Sequence, residues 1–155
     1  MGETQRFATA LAQRLVAGDV VCLYGQLGAG KTYFTKGLVG GLGGAADEVT
    51  SPTFVLMQTY EARLTVYHFD AYRLTDSAQM RDIGSDETFY DDGLSVVEWA
   101  DRVPEALPPE RYDVRLTVRG ETSRLIEIAG LGPRQAETVA FLAAKGLFQA
   151  PKPAL

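Results

Sequence analysis

The sequence predicts an α/β domain with three layers and a sheet that mixes parallel and antiparallel strands. First, VVCLY at 20–24 is a short continuous apolar run, which is typical of a strand covered on both faces of a parallel sheet. Second, a glycine-rich stretch follows this run directly and leads into a helical pattern. Third, two later pairs of strand-like runs are separated by short polar turns, and such pairs indicate antiparallel hairpins.

The N-terminal part of the chain contains two predicted helices, one on each side of this first strand. Apolar residues at four-residue spacing predict a helix over 4–17, with Thr4 as its N-cap and Gly18 after its end. The second helix begins at Lys31, directly after the glycine-rich stretch. The glycines of the run 40–44 end it.

The middle of the chain carries the first hairpin and a third strand. The runs 53–60 and 64–70 are rich in β-branched and aromatic residues, and the short polar segment between them makes a hairpin the simplest connection. Residues 76–93 are polar with weak helical character. LSVVEW at 94–99 is the next predicted strand.

The C-terminal part carries the second hairpin and the last helix. The run 113–119 alternates between apolar and polar residues and pairs with 123–129 across a turn, which indicates a hairpin with one solvated face. Pro133 opens a final helix, and about 149–155 is a flexible tail. We see no linker composition, so residues 1–155 are predicted to form a single domain.

Composition and charge limit the classes of function. The chain has 155 residues and a net charge of −5, which argues against broad binding of DNA or RNA. Its single cysteine fits a reducing compartment. No signal peptide is visible, and no apolar run approaches the ~20 residues of a membrane span. We therefore expect a cytoplasmic protein without membrane contact.

The glycine-rich stretch matches the phosphate-binding pattern G-x-x-x-x-G-K-[ST]. In this pattern backbone N–H groups surround phosphate oxygens and the start of the helix adds positive potential. Lys31 supplies a charge to the β and γ phosphates, and the Thr32 hydroxyl is a ligand for Mg²⁺. The strand, loop and helix together predict a P-loop NTPase-like domain. The predicted nucleotide-binding residues of the loop are Gly25, Gln26, Leu27, Gly28, Ala29, Gly30, Lys31, Thr32 and Tyr33.

Two carboxylates end predicted strands and are candidates to hold Mg²⁺ with Thr32. Asp70 and Glu98 each follow an apolar run, at the strand end where ligands collect in open α/β sheets. The alternative for either one is a solvated carboxylate. His68 is a candidate to orient Asp70, with a structural histidine as the alternative. Since no guanine-reading N-K-x-D motif occurs, we expect the nucleotide to be ATP.

Four stretches resemble the TsaE (YjeE) family, small ATPases needed to make threonylcarbamoyladenosine next to the tRNA anticodon. They occur in the family's order: LYGQLGAGKTYFTKGL at 23–38, SPTFVLMQTY at 51–60, VYHFDAYRL at 66–74 and VVEWAD at 96–101. The resemblance implies ATP hydrolysis that serves the partner proteins TsaD and TsaB, with tRNA reached only through that complex.

The resemblance also implies roles for particular residues. Ser51, Pro52 and Thr53 would form a switch-like segment facing the γ-phosphate, with Thr53 as a catalytic candidate. Asp70 and Glu98 would be the two acids, and both are catalytic and metal candidates. Their division of metal ligation and water activation stays open. Trp99 would lie near the nucleotide, so it joins the predicted nucleotide-binding residues.

The sequence departs from the family pattern at one loop position, and two other functions remain alternatives. Gln26 stands where the family usually has Asp, so any role of that carboxylate is in doubt here. One rival is a nucleotide sensor without turnover, which would use the same loop. The other is a small-metabolite kinase, which would need an acceptor pocket and usually an arginine-bearing lid. No arginine-rich insertion of that kind is visible in the sequence.

Overall fold

The computed structural model describes residues 2–51 and 56–146, and the predicted tail at 149–155 lies outside them. Within this part of the chain are five α-helices and six β-strands. In chain order they are α1 (Glu3–Ala12), β1 (Val20–Tyr24), α2 (Lys31–Gly41), β2 (Met57–Tyr60), β3 (Val66–Asp70), α3 (Ser77–Asp82), α4 (Ser85–Thr88), β4 (Leu94–Glu98), β5 (Arg111–Val118), β6 (Arg124–Leu131) and α5 (Pro133–Ala144). None of these helices has the length and apolar character needed to cross a bilayer.

The six strands form one mixed sheet in the order β2-β3-β4-β1-β5-β6. The four inner strands run parallel, with β1 between β4 and β5. Each edge strand is antiparallel to its neighbour, because β2–β3 and β5–β6 are hairpins. Every residue of β1 and β4 is buried, as expected for strands covered on both faces. The predicted mixed α/β fold is confirmed.

The structure corrects the bounds of several predicted elements. Helix α1 begins at Glu3, so Gly2 is the N-cap residue and Thr4 lies inside the first turn. The helix ends at Ala12, well before Gly18, because the backbone then forms tighter turns such as Leu15 N–H to Ala12 C=O. The polar region 76–93 contains two short helices, α3 and α4.

Two hydrophobic clusters cover the two faces of the sheet. Helices α1, α2 and α5 pack on one face, with Leu11 and Leu38 among the buried residues. The other face packs against α3 and the short turns after β4, through Met80 and Val103. The helix–sheet–helix layers place the carboxyl ends of the inner strands at one open edge, where the loop between β1 and α2 also lies.

Helices α1 and α2 pack closely because glycines of α2 face alanines of α1. A Cβ atom on Gly37 would lie 2.7 Å from the Ala8 Cβ, and one on Gly41 would lie 2.8 Å from the Ala12 Cβ. Contacts this short do not occur between real Cβ atoms, so the two helices could not approach in this way with larger residues. This contact holds α2 in place, and α2 begins at the glycine-rich loop.

The close helix contact gives a stability prediction with an internal control. Gly37→Ala is expected to lower the free energy of unfolding by about 1–3 kcal/mol, because the added methyl overpacks the interface. Gly40 lies on the same helix, but a Cβ there would meet its nearest atom at an ordinary 3.5 Å. Gly40→Ala should therefore raise stability by up to about 1 kcal/mol through helix propensity. Urea unfolding followed by circular dichroism measures both, and equal stabilisation by the two changes would contradict the close packing.

Candidate functional site

The glycine-rich loop between β1 and α2 is folded into a compact turn. Gly25, Gly28 and Gly30 have φ values of +156°, +81° and +106°, in the range that favours glycine. A Cβ on Gly25 would lie 2.6 Å from the Leu116 carbonyl oxygen, so the loop also needs glycine to pass strand β5. Three of the predicted glycines are thus required by the backbone path itself.

Lys31 extends from the first turn of α2 back into this loop. Its Nζ donates to the carbonyl oxygens of Gly25 and Gln26 at 2.6 and 3.0 Å. The residue is only 4% exposed, and the ammonium lies 3.9 Å from the centre of the Trp99 ring. Burial lowers the pKa of Lys31, and the nearby carboxylates, Glu98 first, oppose that shift. The cation is therefore held within the curve of the loop, beside the strand-end acids.

The two predicted acids lie side by side at the open edge of the sheet. Asp70 and Glu98 are partners in the parallel register of β3 and β4, and both side chains are buried. The Thr32 hydroxyl at the start of α2 lies 3.1 Å from each carboxylate oxygen of Glu98 and donates to that group. The structure thus brings together all three side chains that the sequence nominated as metal ligands.

Asp70 is connected to the segment that precedes β2. Its Oδ2 accepts from the Ser51 hydroxyl at 2.9 Å, and its Oδ1 accepts from the Tyr72 N–H at 2.9 Å. Pro52 and Thr53 lie outside the described residues, so the role of Thr53 stays a prediction. Ser51 places the beginning of the predicted switch-like segment at the acids.

His68 contacts Glu98 through Nε2, although the sequence pointed to Asp70 as its partner. The strand register explains this. Asp70 is on the same strand, while Glu98 is on the neighbouring strand. On the other side of its ring, Nδ1 lies 3.2 Å from the Tyr60 hydroxyl. Sequence reasoning missed Tyr60, since nothing in the chain pattern distinguishes it from a core aromatic residue.

Trp99 lies directly after β4 and beside the loop. Its backbone has φ +59°, an uncommon value for a bulky residue, and its ring packs 4.9 Å from the Tyr72 ring. It helps line a cavity of about 350 Å³, together with Gln26 and the end of β5. Trp99 therefore lies beside the loop, on the side of Lys31, and its proximity to a nucleotide stays a prediction. Leu27, at the tip of the loop, is 80% exposed.

A second cavity, of about 720 Å³, lies on the other flank of the loop, beside Gly30 and Tyr33. The start of α1 and the start of β6 form its remaining walls. Arg124 of β6 reaches the loop, donating from Nε to the Ala29 carbonyl at 3.1 Å and from Nη2 to the Gly28 carbonyl at 3.3 Å. Sequence reasoning missed Arg124, because a hairpin residue so distant in the chain carries no motif.

The donor set at the acids suits Mg²⁺ supplied with phosphates. The described residues contain no group of three or more His, Cys, Asp or Glu side chains arranged for a metal ion. The site instead offers oxygen atoms from one hydroxyl, Thr32, and two carboxylates, Asp70 and Glu98. Mg²⁺ prefers oxygen ligands and is commonly held by one or two carboxylates plus substrate phosphates, so these residues fit it.

Comparisons with known proteins identify similar chains. The family model described as "Threonylcarbamoyl adenosine biosynthesis protein TsaE" matches residues 1–126. The tRNA threonylcarbamoyladenosine biosynthesis protein TsaE of Treponema pallidum (strain Nichols) is 44% identical over 127 residues, which cover 82% of this chain and 93% of that protein. The protein of the same name from Bacillus subtilis (strain 168) is 41% identical over 133 residues, 85% of this chain and 82% of its own.

A solved structure shares the fold as well. The crystal structure of Bacillus subtilis YdiB superposes with a TM-score of 0.77 and 35% sequence identity. The match covers 93% of this chain and 89% of YdiB. The fold of this chain therefore has a counterpart determined by experiment.

Proposed function

Because the chain belongs to the TsaE family of threonylcarbamoyl adenosine biosynthesis proteins, we propose that it binds ATP with Mg²⁺ and hydrolyses it to ADP and phosphate. The observation that carries the proposal is the meeting of Lys31, Thr32 and Glu98 at the glycine loop. A buried cation next to a hydroxyl and a carboxylate is the arrangement that a metal-bound triphosphate needs.

In this proposal the loop amides and Lys31 bind the phosphates. The Lys31 ammonium turns from the carbonyls of Gly25 and Gln26 toward the β and γ oxygens. Thr32 and the two acids would hold Mg²⁺, and Asp70 or Glu98 would orient the attacking water. The metal supplies charge neutralisation at the phosphates. Trp99 packs against Lys31 at this end of the site.

The base of the nucleotide is proposed to occupy the cavity beside Tyr33. The acids mark the γ-phosphate end of the site, and this cavity lies on the opposite flank of the loop. A volume of about 720 Å³ is within the usual range for ligand pockets. Gln26 does not line this cavity. It lines the smaller one next to Trp99, so it belongs to the phosphate end.

The proposed biological role is ATP-dependent support of tRNA threonylcarbamoyladenosine formation. We propose that TsaD and TsaB are the partners, that tRNA is reached only through their complex, and that this chain does not transfer the threonylcarbamoyl group. The names of its relatives support the pathway. Hydrolysis would reset or release the partner complex.

Reconstitution of tRNA threonylcarbamoylation tests this function. The purified chain is added to TsaD, TsaB and the other required components, and both modified tRNA and released phosphate are measured. We expect sustained modification only with this chain and ATP, and faster phosphate release with the partners present. Nucleotide-dependent complex formation without any phosphate release would instead establish a sensor. Phosphate transfer to a small acceptor, faster than hydrolysis, would establish a kinase.

Arg124 provides a prediction about the loop. Arg124→Met keeps the apolar stem but removes the donors to the carbonyls of Gly28 and Ala29. Each such bond contributes about 0.5–1.5 kcal/mol to the conformation of the loop, so the loss of both should lower ATP affinity by about 5- to 100-fold. Titration calorimetry measures it. The control is Arg119→Met, an exposed arginine near the same turn, and an equal loss in both variants would contradict a specific role of Arg124.

A further inference from the structure

One face of the sheet changes from apolar to polar at the strand ends. On β3, Val66 belongs to the core under α1 and α2, and His68 and Asp70 follow on the same face. On β4, Val96 is the register partner of His68, and Glu98 comes next on that face. His68 is fully buried at 0% exposure, so the structure places an imidazole where the core would otherwise continue.

Both nitrogens of this imidazole have polar partners. Nε2 lies against the Oε2 of Glu98, and a carboxylate can only accept, so Nε2 carries the hydrogen and donates. With the hydrogen on Nε2, the neutral ring leaves Nδ1 as an acceptor for the Tyr60 hydroxyl, 3.2 Å away. Burial raises the pKa of Tyr60, against a smaller lowering by the Thr50 backbone bond, so its hydroxyl keeps the hydrogen that it donates.

Tyr60 extends this connection to the segment that precedes β2. With its hydrogen donated to His68, the hydroxyl accepts from the Thr50 N–H at 3.4 Å. It also lies 2.7 Å from the side-chain amide of Gln58, whose NH₂ can donate to it. The next residue, Ser51, donates to Asp70. The segment at 50–51 is therefore bonded directly to one acid and, through Tyr60 and His68, to the other.

Resting on the proposed function, we propose that His68 and Tyr60 are positioning residues that orient Glu98 toward the metal. His68 binds Oε2 of Glu98, and Tyr60 binds His68 from the other side of the ring. Both carboxylate oxygens stay 3.1 Å from the Thr32 hydroxyl, and Oε1, which His68 does not contact, is the oxygen left for Mg²⁺. Neither residue contacts the reacting atoms. Partners that orient a metal ligand in this way commonly change metal affinity or activity by about 10- to 100-fold when they are removed.

The histidine content of the chain makes a direct spectroscopic test possible. His68 is the single histidine in the sequence, so untagged protein labelled with ¹⁵N-histidine gives the two ring-nitrogen signals of one imidazole. We expect a protonated Nε2, a shift of that nitrogen in Glu98→Gln, and a shift of Nδ1 in Tyr60→Phe. Addition of Mg²⁺ to the ATP-bound protein should move the signal again. An imidazole that responds to neither substitution nor to Mg²⁺ would overturn the proposal.

The functional test compares nucleotide affinity with and without Mg²⁺. In His68→Leu the gain in ATP affinity on adding Mg²⁺ should shrink about 10-fold or more, while affinity without the metal stays near that of the unsubstituted chain. His68→Gln retains an amide donor for Glu98, so the increase in ATP affinity on adding Mg²⁺ should be larger in this variant than in His68→Leu. Tyr60→Phe should lower kcat with little change in KM. Circular dichroism establishes that each variant is folded, and calorimetry measures each affinity.

Tyr67→Phe is the matched control. Tyr67 is on β3, next to His68, but its side chain lies on the opposite face of the sheet. Its hydroxyl donates to Asp91 at 3.3 Å. Removing that hydroxyl should leave kcat and the Mg²⁺ dependence unchanged. If the unsubstituted chain hydrolyses ATP but Tyr60→Phe and His68→Leu behave like Tyr67→Phe, the positioning role is wrong and the proposed function still stands. If the unsubstituted chain binds no nucleotide, the proposed function falls and this inference falls with it.

Discussion

Glu98→Gln is expected to slow ATP hydrolysis by about 100-fold or more, while ATP affinity falls only a few-fold. A group that places the metal or activates the attacking water acts mainly in the transition state, and losses of this size are usual when such a group is removed. The glutamine keeps the shape, and its one amide oxygen, at the position of Oε2, can still accept from both His68 and Thr32. Steady-state phosphate release gives the rate, and calorimetry gives the affinity.

Two comparisons make this result interpretable. Glu105→Gln removes an exposed carboxylate a few residues later and should leave both quantities unchanged. Asp70→Asn, measured in the same way, separates the roles of the two acids. Substitution of the acid that activates water should lower turnover more than it lowers ATP affinity. Equal losses of turnover and affinity in Glu98→Gln would contradict the catalytic role and indicate a binding or folding role.

Lys31→Ala is expected to remove most of the affinity for ATP, by about 30-fold or more. A charge-assisted contact to phosphate contributes about 1.5–3 kcal/mol, and Lys31 faces two phosphate groups in the proposed complex. AMP lacks the β and γ phosphates, so its weaker binding should change little. Calorimetry with ATP and AMP measures both effects.

Lys36→Ala tests whether general charge explains the loss. Lys36 lies one turn further along α2, partly exposed, and its removal changes the net charge by the same amount. We expect nearly unchanged ATP affinity in this variant. Unchanged ATP affinity in Lys31→Ala would instead disprove the assignment of the glycine loop as the phosphate site.

Much of the fold and of the loop could be predicted because the signals are local. A continuous apolar run of five residues marked β1 with its observed bounds, and the loop motif marked the start of α2 at Lys31. Helix α1 was predicted too long, since the four-residue spacing continues to Leu15 although the helix ends at Ala12. Apolar spacing indicates which residues face the core. Leu15 is buried by the tight turns that follow the helix, so its position in the pattern did not mean that it is helical.

The candidate functional site depends on contacts that no local pattern contains. Both acids could be nominated from the sequence, but the partner of His68 could not, because it follows from the register between β3 and β4. Tyr60 and Arg124 reach the site from edge strands of the sheet. Their chemistry depends on the residues beside them in space.

The sequence by itself determined the strand–loop–helix unit, the residue types of a candidate phosphate and metal site, and the similarity to the family. Backbone conformation and residue chemistry at neighbouring positions suffice for these. Only the tertiary structure decided that Glu98 is held between Thr32 and His68, and that Thr50 and Ser51 connect to both acids. Strand order and register bring these distant residues together, and neither is encoded within any one segment.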